Sequence, residues 1–219
     1  MSVKVEVWGR YALFSRPELS VERVSYDVMT PSAARGILES IYWHPGMGWV
    51  IDRIHVLSPI KFANVRRNEV SEKISASNVR SVMNGGGASG FYVNTKEKIQ
   101  QRASMVLKDV HYVIEAHFEI MRGKAAPTDN EGKFISIINR RLQKGQCYSR
   151  PYFGCREFPA DFRAYEGTEI RTAYHDGDRD LGFMLYDMDY SDPHDIKPTF
   201  FKGVLHNGTL DLSDCRVFK

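Results

Sequence analysis

An alternating pattern followed by a helix signal fills residues 3 to 45, which read VKVEVWGRYALFSRPELSVERVSYDVMTPSAARGILESIYWHP. At its start, Val3, Val5 and Val7 alternate with charged and aromatic residues. A period of two places successive side chains on opposite faces of a strand. The pattern therefore predicts a β-strand with one buried, apolar face.

A helix signal follows at Thr30 and Pro31. Threonine can cap the unpaired N–H groups of a first helical turn, and proline at the first helical position loses only a donor that has no partner there. The apolar stripe expected on this helix consists of Ala34, Ile37, Leu38 and Ile41. A Pro-Gly pair then predicts a break, so we expect Tyr42, Trp43 and His44 to form an exposed aromatic cluster at the helix end.

The composition limits the class of protein. With 219 residues, of which 42% are hydrophobic, the chain can bury a core and fold as one domain, or as one domain with a smaller one. A net charge of +3 does not select a partner. Three cysteines without a CxxC pair argue against a disulfide framework and a cysteine-rich zinc site, and a reducing cytoplasm is the expected setting. We find no export signal and no apolar run of about 18 residues, so we expect no membrane span.

A long basic segment interrupts the pattern at about residues 63 to 104. Its serines, asparagines and triple glycine predict a long mobile excursion from the fold. A basic segment beside Phe91 and Tyr92 suits a nucleic-acid backbone, and a solvated flexible loop is an equally good interpretation. Its charged residues are seven basic and three acidic ones: Arg66, Arg67, Lys73, Arg80, Lys96, Lys98 and Arg102 against Glu69, Glu72 and Glu97.

Further elements complete the predicted order. Residues 49 to 57 and 106 to 120 are rich in β-branched residues and predict strands, and residues 132 to 144 show helical spacing. Residues 148 to 162 predict one further strand, or two short strands broken by proline. The strand at 106 to 120 should bury one face, made of Val110, Tyr112, Ile114, Ala116, Phe118 and Ile120.

The order strand, helix, strand, strand, helix, strand is that of an α+β fold of the ferredoxin-like (RRM-like) type, with helices on one face of an antiparallel sheet. We expect this domain to span residues 1 to 163 and to carry the basic segment as an insertion. From residue 164 to 219 the sequence is typical of β-hairpins, with Asn207 and Gly208 as a type I′ turn. A second domain, a small C-terminal antiparallel β-sheet, is therefore expected.

Two histidines on the strand at 106 to 120 do not predict a metal site. His111 and His117 share a face with three acidic residues: Asp109, Glu115 and Glu119. Six residues of strand at about 3.3 Å per residue separate the two imidazoles by about 20 Å, so one ion cannot bind both. The sequence also lacks the motifs GxGxxG, Walker A, GxSxG and HExxH. We predict no metal and no cofactor.

Tyr42 and His44 at the end of the first helix and Lys133 at the start of the second are the candidate catalytic residues. Helices of this fold pack side by side, so residues near their ends can meet. A phenol, an imidazole and an ammonium around a phosphodiester suffice for metal-free RNA cleavage, because RNA supplies its own 2′-hydroxyl nucleophile. The alternative is that Tyr42 is a partly buried aromatic residue whose hydroxyl is already hydrogen-bonded.

Five segments, taken in order, resemble a known family: VWGRYALFSRPE, TPSAARGILESIYWHP, RRNEV, LKDVHYVIEAHFE and FGCREF. The chain resembles the Cas-five family of CRISPR systems in its type I-C "d" branch, which belongs to the RAMP superfamily. The resemblance implies a ferredoxin-like domain with a small C-terminal sheet. It also implies metal-free cleavage of the CRISPR precursor transcript at the base of each repeat hairpin, followed by retention on the 5′ handle of the guide within the surveillance complex.

The same resemblance implies catalytic positions. The tyrosine of the IYW motif matches Tyr42, and the lysine early in the second helix matches Lys133. The histidine that follows this lysine in some members is replaced by Phe134. Two assignments stay open: His44 substitutes for the missing histidine, or Tyr42 acts as the base while Lys133 stabilises charge.

Three functions follow from these observations. The first is a metal-independent endoribonuclease that cuts the CRISPR repeat hairpin by 2′-OH attack and leaves a 2′,3′-cyclic phosphate. The second is a non-catalytic subunit that binds the 5′ handle, and the third is a general nucleic-acid binder that also accepts DNA. Other subunits of the type I-C effector complex are expected partners, and a membrane is not. The residues expected to bind RNA are all basic: Arg10, Arg35, Arg66, Arg67, Arg80, Lys96 and Lys98.

Overall fold

The computed structural model describes residues 2–19, 21–87 and 91–219, so residues 88–90 of the predicted insertion lie outside the described residues. The helices within these ranges are α1 (Pro31–Ile41), α2 (Ala76–Met83) and α3 (Glu131–Lys144). The strands are β1 (Val3–Ala12), β2 (Arg23–Val24), β3 (Met47–Val56), β4 (Phe62–Val70), β5 (Ile99–Ile120), β6 (Asp161–Ala164), β7 (Asp178–Asp189), β8 (Lys197–His206), β9 (Thr209–Asp211) and β10 (Val217–Phe218).

The strands form one large antiparallel sheet. Its neighbours follow the order β10-β8-β9-β3-β5-β1-β6, while β2 and β4 also pair with β5, and β7 pairs with β8. The strand β1 lies between β5 and β6: Val5 faces Ile114 on one side, and Glu6 faces Arg163 on the other. The strand β3 pairs antiparallel with β5. The chain therefore combines helices with a single antiparallel sheet.

The first strand and the first helix are confirmed. The alternating valines of β1 are buried, as the period of two predicted. Helix α1 begins at Pro31, and the hydroxyl of Thr30 accepts the N–H of Ala33 at 3.3 Å. The predicted apolar stripe of this helix is buried: Ala34, Ile37, Leu38 and Ile41.

The core lies between the sheet and the helices α1 and α3. The ring of Phe134 on α3 packs edge-to-face on Phe118 of β5, with the ring centroids 5.6 Å apart. The predicted apolar face of β5 is buried at alternate positions from Val110 to Phe118. Ile120 is 40% exposed, so its predicted burial was wrong: it is the last residue of the strand and lies beyond the core.

The chain divides into two compact units, Met1–Ala63 with Met105–Lys219, and Asn64–Ser104. The second unit contains most of β4, the helix α2 and the start of β5. The segment predicted as a long mobile excursion at about residues 63 to 104 therefore contains regular secondary structure, because a polar composition does not prevent backbone pairing: β4 alternates exposed and half-buried residues and pairs with β5. The domain boundary predicted at residue 163 stays a prediction.

Two predictions for the C-terminal half need correction. Residues 148 to 162 form mostly turns and bends, and the strand β6 begins only at Asp161. The strands β7 to β10 pair as hairpins, but β9 also pairs with β3, so they extend the large sheet instead of forming a separate small one. The turn at Asn207 and Gly208 is confirmed, since both residues have the positive φ that a type I′ turn requires, 49° and 76°.

Gly154 provides a test of this packing. Its φ is +79°, and a Cβ at this position would lie 1.9 Å from the carbonyl oxygen of Leu13. We expect Gly154→Ala to lower the free energy of unfolding by about 3 kcal/mol, because both the left-handed backbone and the overlap must be relieved. Urea denaturation measures this change.

The matched control is Gly36→Ala, within α1. Among the described residues, no atom outside the neighbouring turns of the helix backbone lies within 4 Å of a Cβ added there, and alanine is favoured over glycine inside a helix by about 1 kcal/mol. We therefore expect this variant to be at least as stable as the wild type. Equal unfolding free energies for the two variants would contradict the packing described for Gly154.

Candidate active site

The backbone of Tyr42 is fixed at the end of α1. This residue caps the helix in an extended conformation, and its N–H donates to the carbonyl of Leu38 at 2.8 Å. Its own carbonyl accepts the indole N–H of Trp49 on β3 at 2.9 Å. The helix end and the neighbouring strand therefore set the position of Tyr42 together.

The Tyr42 side chain is buried, which corrects the prediction of an exposed cluster. Tyr42 is only 4% exposed, whereas its neighbour Trp43 is 56% exposed. The Arg141 guanidinium lies over the Tyr42 ring, 5.0 Å from its centroid, and Phe134 packs beside the ring. Among the described residues the buried Tyr42 hydroxyl has no hydrogen-bond partner. The predicted alternative of a hydrogen-bonded hydroxyl is therefore also wrong.

The surroundings of Tyr42 keep its phenol protonated. Burial raises the pKa of the Tyr42 hydroxyl above its usual value. The positive charge of Arg141 lowers this pKa, and the negative charge of Asp129 raises it, but burial has the largest effect. At neutral pH the group is therefore a hydrogen-bond donor and not a phenolate.

Asp129 brings the other two candidate residues together. Its carboxylate is 2.7 Å from the ammonium of Lys133 and 3.5 Å from Nδ1 of His44. It also accepts the N–H of Ala126 at 2.9 Å, and its side chain has no exposed surface. The hydrogen bond from Lys133, followed by that from Ala126, lowers the pKa of Asp129. The carboxylate is therefore a fixed negative charge between the imidazole and the ammonium.

The hydrogen bonds of His44 select one neutral tautomer. Its Nδ1 accepts the backbone N–H of Gly46 at 3.1 Å. A neutral imidazole that accepts at one nitrogen carries its proton on the other, so Nε2 of His44 is the donor. The ring rests against Phe134, with centroids 5.3 Å apart, and about a third of the side chain is exposed. His44 can therefore present an N–H group to solvent.

The turn at Gly46 allows the loop before α3 to reach this site. A Cβ on Gly46 would lie 2.8 Å from Cα of Ala125 and 2.9 Å from Oδ2 of Asp129. The carbonyl of Gly46 also accepts the N–H of Met121. Only glycine fits this close approach, which places the Asp129 carboxylate against the residues that follow Tyr42.

Lys133 is positioned by the start of α3. The side chain of Asn130 caps this helix by accepting the N–H of Lys133 at 2.9 Å. The next residue, Phe134, is fully buried and contacts the rings of Tyr42 and His44. Where some family members are expected to have a proton-transferring histidine, this chain has an apolar side chain that supports the other two residues.

Sequence reasoning missed two residues of this site. Asp129 lies four residues before Lys133, a spacing that allows an ion pair and could have indicated it. The second is Arg141, whose guanidinium donates to the carbonyl of Ile41 and covers Tyr42. Its role depends on the packing of α3 beside α1, and helical spacing alone gives no signal for it.

Two of the basic residues expected to bind RNA lie in the first unit. Arg35 is held in ion pairs with Glu39 at 2.9 Å and with Asp187 at 2.8 Å, so it joins α1 to β7. Arg10 is exposed, and its guanidinium lies 5.2 Å from the centroid of the Tyr11 ring. The structure therefore gives Arg35 a packing role and leaves Arg10 accessible.

The other basic residues lie in the second unit. Arg66, Arg80 and Lys96 are exposed. Arg67 donates to the hydroxyl of Ser104 at 2.9 Å and is half-buried. Lys98 is paired with Glu72 at 2.6 Å. The exposed members of this set are thus the more accessible to a ligand.

Comparison with known proteins places this chain in a family. A family model described as CRISPR-associated protein (Cas_Cas5) matches residues 2–212. The chain belongs to this family. It is 47% identical over 214 residues to the CRISPR pre-crRNA endoribonuclease Cas5d of Mannheimia succiniciproducens, an alignment that covers 96% of this chain and 94% of that protein. The family predicted from the sequence is confirmed.

Solved structures share the fold of this Cas5 family member. The crystal structure of a CRISPR-associated protein has a TM-score of 0.71 at 23% identity, covering 100% of this chain and 97% of that chain. A chain of a CRISPR RNA-guided surveillance complex has a TM-score of 0.53 at 14% identity, covering 100% of this chain and 89% of that chain.

Within the described residues, no helix has the length and apolar character needed to cross a membrane.

The unpaired hydroxyl of Tyr42 predicts an unusual response of stability to mutation. A buried hydroxyl without a partner costs about 1 to 3 kcal/mol, so Tyr42→Phe should leave the free energy of unfolding unchanged or raise it by about 1 kcal/mol. The matched control is Tyr112→Phe, since Tyr112 is also buried but its hydroxyl bonds the backbone of Met29. The free energy of unfolding of that variant should fall by about 1 kcal/mol. Chemical denaturation measures the free energy of unfolding of both variants. A similar decrease in each would contradict the absence of a hydrogen-bond partner for the Tyr42 hydroxyl.

Proposed function

We propose that this Cas5 family member is an endoribonuclease that cleaves CRISPR precursor RNA within its repeat. The name of the relative at 47% identity supports this function. The observation that carries it is the grouping of His44 and Lys133 around one buried carboxylate, beside the buried hydroxyl of Tyr42. A proton donor, a cation and a neutral phenol are groups that suit phosphodiester cleavage in RNA.

In the proposed reaction the 2′-oxygen of the RNA attacks the adjacent phosphorus, and the bond to the 5′-oxygen breaks. The 2′-hydroxyl proton passes to solvent, and His44 in its imidazolium form gives the proton at Nε2 to the departing 5′-oxygen and becomes a neutral imidazole. Lys133 stabilises the negative charge that develops on the phosphorane. The products are a 2′,3′-cyclic phosphate and a 5′-hydroxyl, and none of these steps requires a metal.

Tyr42 acts in this proposal as a neutral donor and not as the base. Its raised pKa keeps the phenol protonated, and its unpaired hydroxyl lacks an acceptor that a phosphate oxygen would supply. The guanidinium of Arg141 covers the ring in the free protein. RNA binding draws Arg141 toward the phosphate and opens the path to the hydroxyl.

The proposal also covers the domain organisation of the chain and its partners. The order β3-β5-β1-β6, with α1 and α3 as connections, supports a ferredoxin-like arrangement over residues 1 to 163, to whose sheet the hairpins of residues 164 to 219 add further strands. After cleavage the protein stays on the 5′ handle of the guide as a subunit of the type I-C surveillance complex. The fold shared with a chain of a CRISPR RNA-guided surveillance complex supports this placement.

A non-catalytic subunit that only binds the 5′ handle is the second candidate. Two observations favour it: Phe134 occupies the position of a potential catalytic histidine, and the Tyr42 hydroxyl is shielded from solvent. Cleavage assays separate the two functions.

The decisive experiment incubates the protein with its repeat RNA in EDTA. We expect cleavage by the wild type, and a decrease in the rate of at least about 100-fold in both Tyr42→Phe and His44→Gln, with RNA still bound. RNA binding by gel shift and the cyclic phosphate end are measured in the same samples. Intact RNA with retained binding would favour the non-catalytic subunit, and cleavage only on addition of a metal would exclude the proposed mechanism.

The exposed arginine of β4 provides a test of RNA binding. Removing one phosphate contact lowers the slope of log Kd against log salt by about one, so Arg66→Gln should weaken binding and flatten this dependence. The control is Lys197→Gln, which removes an exposed charge on β8 and should preserve the wild-type slope. Titrations at several salt concentrations measure both. An unchanged slope for Arg66→Gln excludes this side chain as a phosphate contact, and equal affinity for arbitrary DNA would indicate a general binder.

A further inference from the structure

A cleft on the other face of the sheet lies apart from the candidate active site. Side chains alternate along β1, so Glu6 and Trp8 point away from the buried valines and from the helices that cover them. The cleft has a volume of about 540 Å³, and its lining includes Glu6, Trp8, Arg10, Asp109, His111 and Arg163. This volume lies within the range of about 300 to 1,000 Å³ that is usual for small-ligand sites.

The floor of the cleft is a buried and fully partnered carboxylate. Glu6 is 5% exposed and accepts two hydrogen bonds from Arg163, at 2.6 and 3.0 Å. Nε2 of His111 lies 2.7 Å from Oε1 of Glu6. Removing one partner of such a group is costly, although the pair itself adds little net stability. The arrangement therefore fixes the orientation of the Arg163 and His111 side chains.

These fixed side chains hold an aromatic ring at the wall of the cleft. The Arg163 guanidinium lies 5.3 Å from the centroid of Trp8, and the His111 ring meets Trp8 edge-to-face at 6.2 Å. Trp8 is only half-buried, so part of its surface stays open. A tryptophan held by a cation and an imidazole is a preformed surface on which a flat ring can stack.

The rim of the cleft has an irregular backbone. Asp109 has a φ of 54°, which is rare for a residue other than glycine. In the ladder between β1 and β5, Gly9 pairs with Val110 and Tyr11 pairs with Lys108, and the described pairs skip Arg10 and Asp109 between them. Backbone outliers of this kind are concentrated at functional sites. The irregular backbone places the exposed guanidinium of Arg10 and the carboxylate of Asp109 beside Trp8.

We propose that this cleft binds one unpaired nucleotide of an RNA, with its base stacked on Trp8 and its phosphate near Arg10. The choice of RNA rests on the proposed function. The carboxylate of Asp109 suits the amino group of a base, because carboxylates accept hydrogen bonds from exocyclic amines. An acidic peptide has no flat base to stack on Trp8. The cleft thus adds a binding site for a single nucleotide, remote from the catalytic groups.

A binding titration with a short, fluorescently labelled oligocytidylate tests this proposal. We expect Trp8→Leu to weaken binding about tenfold, because stacking on an aromatic ring contributes substantially for each base. Trp8→Phe keeps an aromatic ring and should restore binding close to the wild-type value. The matched control is Phe183→Leu, which changes a 60% exposed aromatic residue on β7 and should not alter the affinity.

Wild-type affinity in Trp8→Leu would overturn the proposal. Equal weakening in Trp8→Phe would also overturn it, because this result would indicate that Trp8 only supports the fold. A third contradicting result is displacement of the RNA from the cleft by polyglutamate. A second measurement works on the unmodified protein: photocrosslinking of an RNA containing 5-iodocytidine should label the peptide with Trp8, and labelling elsewhere only would contradict the site. Neither measurement uses cleavage. A protein that binds through Trp8 without cutting RNA would refute the proposed function and preserve this site.

Discussion

The buried carboxylate of Asp129 is the interaction on which the candidate active site depends. A charge without solvent contact must be paired, and here the ammonium of Lys133 and the N–H of Ala126 pair it, with Nδ1 of His44 3.5 Å away. The two cationic or proton-donating groups come from opposite sides of the site, one after α1 and one at the start of α3. Their separation is set by a shared anion and by the close approach at Gly46, and not by two independent helices.

The two faces of the sheet follow different physical rules. The face under α1 and α3 is apolar and excludes water, so its order comes from packing. The opposite face buries carboxylates, which require specific partners: Glu6 with Arg163, and Glu115 with Lys4 at 2.8 Å and the imidazole of His55 at 3.4 Å. These cross-strand pairs fix the side chains of this face. A polar face that is rigid in this way can present a defined surface to a polar ligand.

Periodicity predicted the elements whose position follows from local sequence. The strand β1, the helix α1 and the face of β5 up to Phe118 were found because burial of an apolar stripe decides them. The secondary structure of the second unit was missed, since pairing of β4 relies on backbone hydrogen bonds that composition does not reveal. The burial of Tyr42 was missed for another reason: it depends on Arg141, a contact across 99 residues of chain that no local pattern encodes. Likewise, Asp129 becomes the centre of the site only once Gly46 has brought two loops together.

The hydroxyl of Tyr42 connects stability with the proposed chemistry. Folding alone favours phenylalanine at this position, because the buried hydroxyl forgoes its bonds to water and gains none from the protein. A phosphate oxygen that reaches the hydroxyl accepts a hydrogen bond from it. This bond offsets the free energy that burial of the unpaired hydroxyl costs in the free protein. Burial also keeps the phenol protonated, which preserves it as a donor for that oxygen. The same burial that destabilises the free protein thus favours a bound state in which the hydroxyl has a negatively charged partner.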